Sequence, residues 1–224
     1  MQKIMFEHRR FGLEQAVIAR LKENTRRRVR FPKGVNDADV ERAVMDIDKK
    51  GRVYFTFTVS THWGAEAVDV YPKYQIGEEV AIAQCYKDAG IDPHSIVAMI
   101  DEGQNMFTPV PAVDSEGWNN KMYVCADLMP HVIEITDIKA ERLQDISDED
   151  CRKEGVELED WRNEYKWGFY TSFFINARTG GQGSRSVWCN SPQKAFGGLI
   201  DRLNGRGTWE RNEWQFAYTF RLIK

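Results

Sequence analysis

Leu13, Val17 and Leu21 recur every four positions, with Ala16 beside them. This apolar stripe predicts an amphipathic helix over residues 12–25, with Pro32 and Gly34 closing the segment. On such a helix Lys22 and Thr25 lie three apart and share a face. With Arg26 they make a polar patch at the carboxyl end, where the helix dipole favours cations. The period then changes. Residues 36–50 are acidic and polar and end in the turn-forming run Asp48-Lys49-Lys50-Gly51. Val53, Phe55, Phe57 and Val59 alternate with Tyr54, Thr56 and Thr58, which predicts a strand with one buried face. Residues 61–75 read as a loop or short helix, and 77–86 as a turn leading into a second strand.

Residues 88–120 hold no sustained period and are rich in Gly, Pro, Asp and Asn, so a long loop with a short helix is expected there. A β-branched run predicts a strand over 132–138. Ser147, with Asp150 three residues on, predicts the N-cap of a short helix that Gly155 ends. A further strand is expected over 169–175. Ser191-Pro192 starts a helix whose apolar positions are Phe196, Leu199, Ile200 and Leu203, and Asn204-Gly205 stops it. Trp214, Phe216, Tyr218, Phe220 and Leu222 alternate with Gln215, Ala217, Thr219 and Arg221, a closing strand expected to be half buried. Short strands with interspersed short helices predict an α+β fold around a curved sheet or small barrel.

Composition narrows the class. The chain has 224 residues, 42% hydrophobic and 12% aromatic, enough for a globular core. No long apolar run predicts a membrane span, and the first residues lack the pattern of a secretory signal, so a cytoplasmic location is expected. Cys85, Cys125, Cys151 and Cys189 are scattered, which suits reduced thiols. His8, His62, His94 and His131 have no ligand spacing, so neither a metal nor another cofactor is expected. The formal net charge is −3, yet residues 1–30 hold nine Lys or Arg against three Glu. Six of those cations, Arg20, Lys22, Arg26, Arg27, Arg28 and Arg30, fall within eleven residues. A local cationic patch on an acidic chain suits an anionic or polar ligand rather than general nucleic-acid coating. These side chains suit phosphate contacts, and Trp63, Trp118, Trp167 or Tyr170 suit base stacking. The alternative is a solvated charged face with core tryptophans. The glycine-rich stretch 178–185, flanked by Arg178 and Arg185, reads either as a phosphate-touching loop or as a hairpin loop, and it lacks the Gly-Lys-Ser/Thr ending of a nucleotide-hydrolysing loop.

Four separated blocks resemble the ASCH family of the PUA-like superfamily, with phage and prophage members nearest in pattern. They are Ala16 to Arg27 with its Lys-x-x-Thr-x-Arg order; Tyr74-Gln-Ile-Gly77-Glu-Glu-Val80; the run from Ile133 to Gly155; and the stretch from Ser191 through the aromatic strand to Ile223. The resemblance implies one domain over 1–224, a PUA-like small β-barrel with flanking short helices, with insertions at about 31–73 and 88–125. It implies a ligand that is RNA, a nucleobase or a nucleoside, bound in a cationic cleft. Some members are amidohydrolases of acylated cytidines, and their catalytic set falls by motif position on Lys22, Thr25 and Glu154. Arg20, Arg26, Arg27, Arg178 and Arg185 are the expected ligand-binding cations. Amide hydrolysis needs a nucleophile, a proton shuttle and an oxyanion partner, which Thr25, Lys22 with Glu154, and Arg26 or Arg27 would supply. A non-catalytic phage or prophage interaction protein is the third reading.

Overall fold

The computed structural model describes residues 1–7, 10–91, 113, 115–161, 164–170, 174–175, 182–183 and 186–224. In chain order the strands are β1 (Gln2–Ile4), β2 (Asn24–Arg28), β3 (Val40–Ile47), β4 (Val53–Thr61), β5 (Gly64–Val70), β6 (Glu79–Ile82), β7 (Val132–Arg142), β8 (Glu157–Trp161), β9 (Glu164–Tyr170), β10 (Phe174–Ile175), β11 (Gln182–Gly183), β12 (Ser186–Cys189) and β13 (Trp214–Leu222). The α-helices are α1 (Leu13–Ile18), α2 (Asp148–Lys153), α3 (Pro192–Asn204) and α4 (Thr208–Arg211). The fold is mixed α and β, with a core built mostly of sheet. No helix among the described residues is long and apolar enough to cross a membrane.

The described chain divides into two compact units. The smaller comprises Met1–Phe6, Glu79–Ile133 and Leu222–Lys224. In it β1 runs parallel to β6, Gln2 opposite Val80 and Ile4 opposite Ile82. Its apolar centre is Ala81, Ala83, Tyr86, Val124 and Met129, and Trp118 packs on that centre. Trp118 therefore serves as a core residue.

The larger unit comprises Glu7–Glu78 and Glu134–Arg221. Here β2 pairs antiparallel with β13, setting Asn24 opposite Thr219, Thr25 opposite Tyr218, Arg26 opposite Ala217 and Arg27 opposite Phe216. The strands β3, β4 and β5 form an antiparallel meander. One face of β13 joins an aromatic core: Phe216 lies 5.4 Å from Phe55, Trp214 5.4 Å from Phe57, and Tyr218 5.4 Å from Tyr74 between ring centroids. The expected half-burial of β13 is corrected, because Gln215 and Ala217 on its other face are buried too. That second face carries Arg26 of β2, which meets the Phe196 ring of α3.

Several elements differ from the sequence pattern. The helix expected over 12–25 stops at Ile18. Arg20 adopts φ 59, its N–H donates to Val17 O (3.0 Å), and Leu21 N–H donates to Ala16 O (2.8 Å). That pair of bonds is a Schellman termination with a non-glycine residue in the left-handed position. Leu21, expected on the apolar stripe, is 62% exposed. Residues 24–28 are strand instead, because pairing with β13 satisfies their backbone and buries Asn24, Thr25 and Arg26. The polar stretch 36–50 contains β3, and 61–75 contains β5, neither of which shows a buried alternation because both strands are largely exposed. The expected helices at 147–155 and 191–204 and the closing strand at 214–222 are present as α2, α3 and β13. Most of the long loop expected at 88–120 lies outside the described residues.

Candidate functional site

Three chain segments of the larger unit converge beside β2. The end of α1 delivers Lys22, whose N–H donates to Ala16 O (3.1 Å). The next residue is tied to the end of α2, since Glu23 N–H donates to Lys153 O (2.9 Å). Glu23 O then accepts from Phe220 N–H of β13 (2.9 Å). The α2 helix itself is short and well closed. Ser147 Oγ accepts from Asp150 N–H at its start (3.1 Å). At its end Gly155, with φ 99, lets Gly155 N–H reach Arg152 O (2.9 Å) and Val156 N–H reach Cys151 O (3.1 Å). This closure fixes Glu154, the last residue of the turn, directly against the start of β2.

The result is a buried ionic network. The Lys22 ammonium donates to Glu154 Oε2 and to the Glu154 carbonyl oxygen (3.0 Å). Arg26 Nη1 donates to Glu154 Oε1 (2.9 Å), and Arg26 Nε to Glu141 Oε1 (3.1 Å). Arg26 Nη2 pairs with Glu141 and lies 3.6 Å from Asp150 Oδ2. Asn24 Nδ2 donates to Asp150 Oδ1 (2.9 Å), while Asn24 Oδ1 is buried without a hydrogen-bond partner among the described residues. The Lys22 and Glu154 side chains are 2% and 6% exposed, so this pair is screened from water. Three carboxylates meet two cations. Burial pulls the Lys22 amine below its ordinary value; Glu154 opposes this, and the charges of Arg27 and Arg26 add to it. For Arg26 burial acts downward as well, yet Glu154 and Glu141 outweigh it and hold the guanidinium above its ordinary value. Nearby Cys151 is fully buried, and burial pushes its thiol up to about 12.

The structure brings together two of the three residues implied as catalytic, Lys22 and Glu154, across 132 positions of sequence. Thr25 takes no part in the network's hydrogen bonds or ion pairs. Side chains alternate along a strand, so with Asn24 and Arg26 on the network side Thr25 lies on the other face, opposite Tyr218. Its hydroxyl makes no hydrogen bond among the described residues. The shared helical face expected for Lys22 and Thr25 is thus corrected, because 24–28 is strand. Arg26 is also corrected: it is buried with its donors on carboxylates, so it is not an open phosphate contact. Arg20, Arg27, Arg28 and Arg30 are exposed, and Arg28 pairs with Glu213 (2.9 Å). Arg178, Arg185, His8, His94 and the Tyr170 side chain lie outside the described residues. Trp63 is 89% exposed between β4 and β5, and Trp167 has Arg152 over its ring at 4.8 Å.

Asn24, Glu141 and Asp150 were not expected in the site. A strand reading of 24–28 would have placed Asn24 and Arg26 on one face, but no local signal links them to Glu141 or Asp150. Among the described residues no group of His, Cys, Asp and Glu is arranged to hold a metal ion. Known protein families, characterised proteins and solved structures give no match to this chain.

Proposed function

We propose that the chain binds a nucleobase or nucleoside beside the Lys22–Glu154 pair and hydrolyses an acyl amide on it, in a PUA-like barrel with an ASCH core. One observation carries this reading: a buried lysine amine, drawn below its ordinary value, hydrogen-bonded to a carboxylate far away in sequence. A desolvated lysine of this kind releases its proton more readily than a solvated surface lysine, so it can accept and return one during a reaction. In the reaction the neutral Lys22 amine takes the proton of an attacking water. Its oxygen adds to the acyl carbon, the carbon–nitrogen bond breaks, and Lys22 returns the proton to the leaving amine. The water oxygen leaves in the released carboxylic acid. Glu154 holds the lysine throughout. The ASCH resemblance supports an acylated cytidine as the substrate class. Carboxylate release from an acylated cytidine by the purified protein, abolished in Lys22→Met, is the expected result. Absence of turnover across a panel of acylated nucleosides would sink the reading.

A second reading, RNA recognition, is favoured by the exposure of Arg20, Arg27, Arg28 and Arg30 within eleven residues. It predicts affinity that falls steeply with salt and a shallower salt slope in Arg27→Ala/Arg30→Ala. Binding that ignores salt would exclude it.

A further inference from the structure

We infer that Arg26 is a positioning residue for the Lys22–Glu154 pair: it grips the carboxylate by the oxygen Lys22 does not use, and supplies a permanent counter-charge when Lys22 gives up its proton. The inference rests on Lys22 and Glu154 being the proton-handling pair of the proposed site.

The geometry is that of a fork fixed on three sides. Nε and Nη2 of Arg26 are held by Glu141, and Nη2 also faces Asp150 at 3.6 Å. The ring of Phe196 lies 5.6 Å from the guanidinium carbon, and the small Ala217 stands opposite Arg26 in β13. With those positions occupied, Nη1 is left aimed at Glu154 Oε1 at 2.9 Å. A guanidinium stays charged at any working pH and presents several donors in one plane. A lysine is a single point donor and cannot span Glu141 and Glu154 in the same way.

The consequence follows from the cost of an unpaired buried charge. If Lys22 alone faced Glu154, removing its proton would leave a buried carboxylate without a counter-ion, so Lys22 would keep the proton. With Arg26 on the other oxygen, Glu154 keeps a partner in both protonation states of Lys22. The charges that act on Lys22 are Glu154 from the end of α2 and Arg27 and Arg26 from β2; those paired with the Glu154 carboxylate are Lys22 and Arg26.

The test reads Lys22 directly. Protein carrying lysine labelled with carbon-13 at Cε is titrated by NMR, and the Lys22 signal is assigned by its loss in Lys22→Met. Arg26→Gln is expected to raise the Lys22 midpoint by about one pH unit or more, tenfold in proton affinity. Arg26→Lys is expected to raise it by less, because the charge remains but the fork is lost. An unchanged midpoint in either folded variant overturns the inference, and Arg26→Lys decides alone if Arg26→Gln does not fold. This readout needs no turnover. If the wild-type protein fails to hydrolyse acylated nucleosides, the hydrolase reading falls while the titration still judges Arg26. Where turnover exists, the basic limb of the pH–rate profile is expected to move with the NMR midpoint.

Discussion

Replacing Glu154 by Gln keeps the shape of the side chain and removes its charge. Lys22 keeps its bond to the Glu154 carbonyl oxygen, and Arg26 keeps Glu141 and Asp150. The stranded charge is therefore the Lys22 ammonium, 2% exposed. Breaking a buried pair by deleting one partner typically costs about 3–5 kcal/mol. Lys22 has an escape, since it can fold as the neutral amine. Neutralising a lysine of ordinary value 10.5 costs about 1.4 kcal/mol per pH unit, hence at most about 5 kcal/mol at pH 7 and about 2 kcal/mol at pH 9. The folded wild-type amine lies below 10.5, so the true ceiling is lower still. We expect Glu154→Gln to lose less than about 5 kcal/mol at pH 7 and progressively less as pH rises. The sign is checked by proton counting. Between the folded Lys22 value and 10.5 the unfolded chain binds the extra proton, so raising pH favours the folded state. The depression deepens in Glu154→Gln, so its gain begins at lower pH. Urea unfolding at pH 7, 8 and 9 measures this directly. An equal loss at every pH would mean that packing or a neutral hydrogen bond was removed, and the ionic account of the pair would be refuted. Adding Lys22→Met to Glu154→Gln is expected to recover most of the loss, because no buried charge then remains.

Arg20→Gly is expected to stabilise the protein: the left-handed residue costs about 1–2 kcal/mol, offset in part by the roughly 0.5–1 kcal/mol entropy penalty of glycine. A lowered melting temperature would contradict the Schellman ending of α1. At Gly197 in α3 a Cβ would approach the Trp209 ring to 2.8 Å. Gly197→Ala is therefore expected to destabilise by about 1 kcal/mol or more, since overpacking of about 1–3 kcal/mol exceeds the helix-propensity gain of about 1 kcal/mol; an unchanged urea midpoint would remove that contact from the account. Cys125 is exposed, whereas Cys85 and Cys151 are buried, and burial raises the thiols of Cys151 and Cys189. An aromatic disulfide reagent is expected to find one fast thiol in the native protein, absent in Cys125→Ser, with Cys151 reacting only on unfolding.

The parts of the fold legible in the sequence are those whose cause is local. Ser147 and Gly155 bound α2 because a cap and a left-handed glycine act within one helical turn. The alternation at 214–222 and the Ser191-Pro192 start of α3 work over similarly short reach. Residues 24–28 were illegible for the opposite reason. Their composition, Asn-Thr-Arg-Arg-Arg, is poor in strand formers, and Arg20 carries the helix ending where a glycine would have announced it. Only β13, paired with them from Gln215 to Thr219, makes them a strand. β3 and β5 carry no alternation in the sequence because an exposed edge strand needs no buried face. No pattern in the chain itself pairs Lys22 with Glu154, 132 positions apart.

That division explains how the candidate site is built. Its two best-placed residues sit just beyond helix ends, not within regular elements: Lys22 after the turn that stops α1, Glu154 as the last residue before Gly155. A helix end leaves carbonyl groups seeking donors, and Lys22 answers one of them at Glu154 O while also meeting the side chain of the same residue. The lysine is therefore held twice by one residue, once by a group that titrates and once by a backbone carbonyl that does not. Changing Glu154 to Gln removes only the first hold. A proton can then leave Lys22 without the amine losing its place, which is what a general base requires and what a purely structural salt bridge does not provide. Arg26 completes the arrangement from the far oxygen. Network and lysine are consequently separable by mutation: Arg26→Gln acts on the proton affinity of Lys22, Lys22→Met removes the base itself, and only the second is expected to abolish turnover outright.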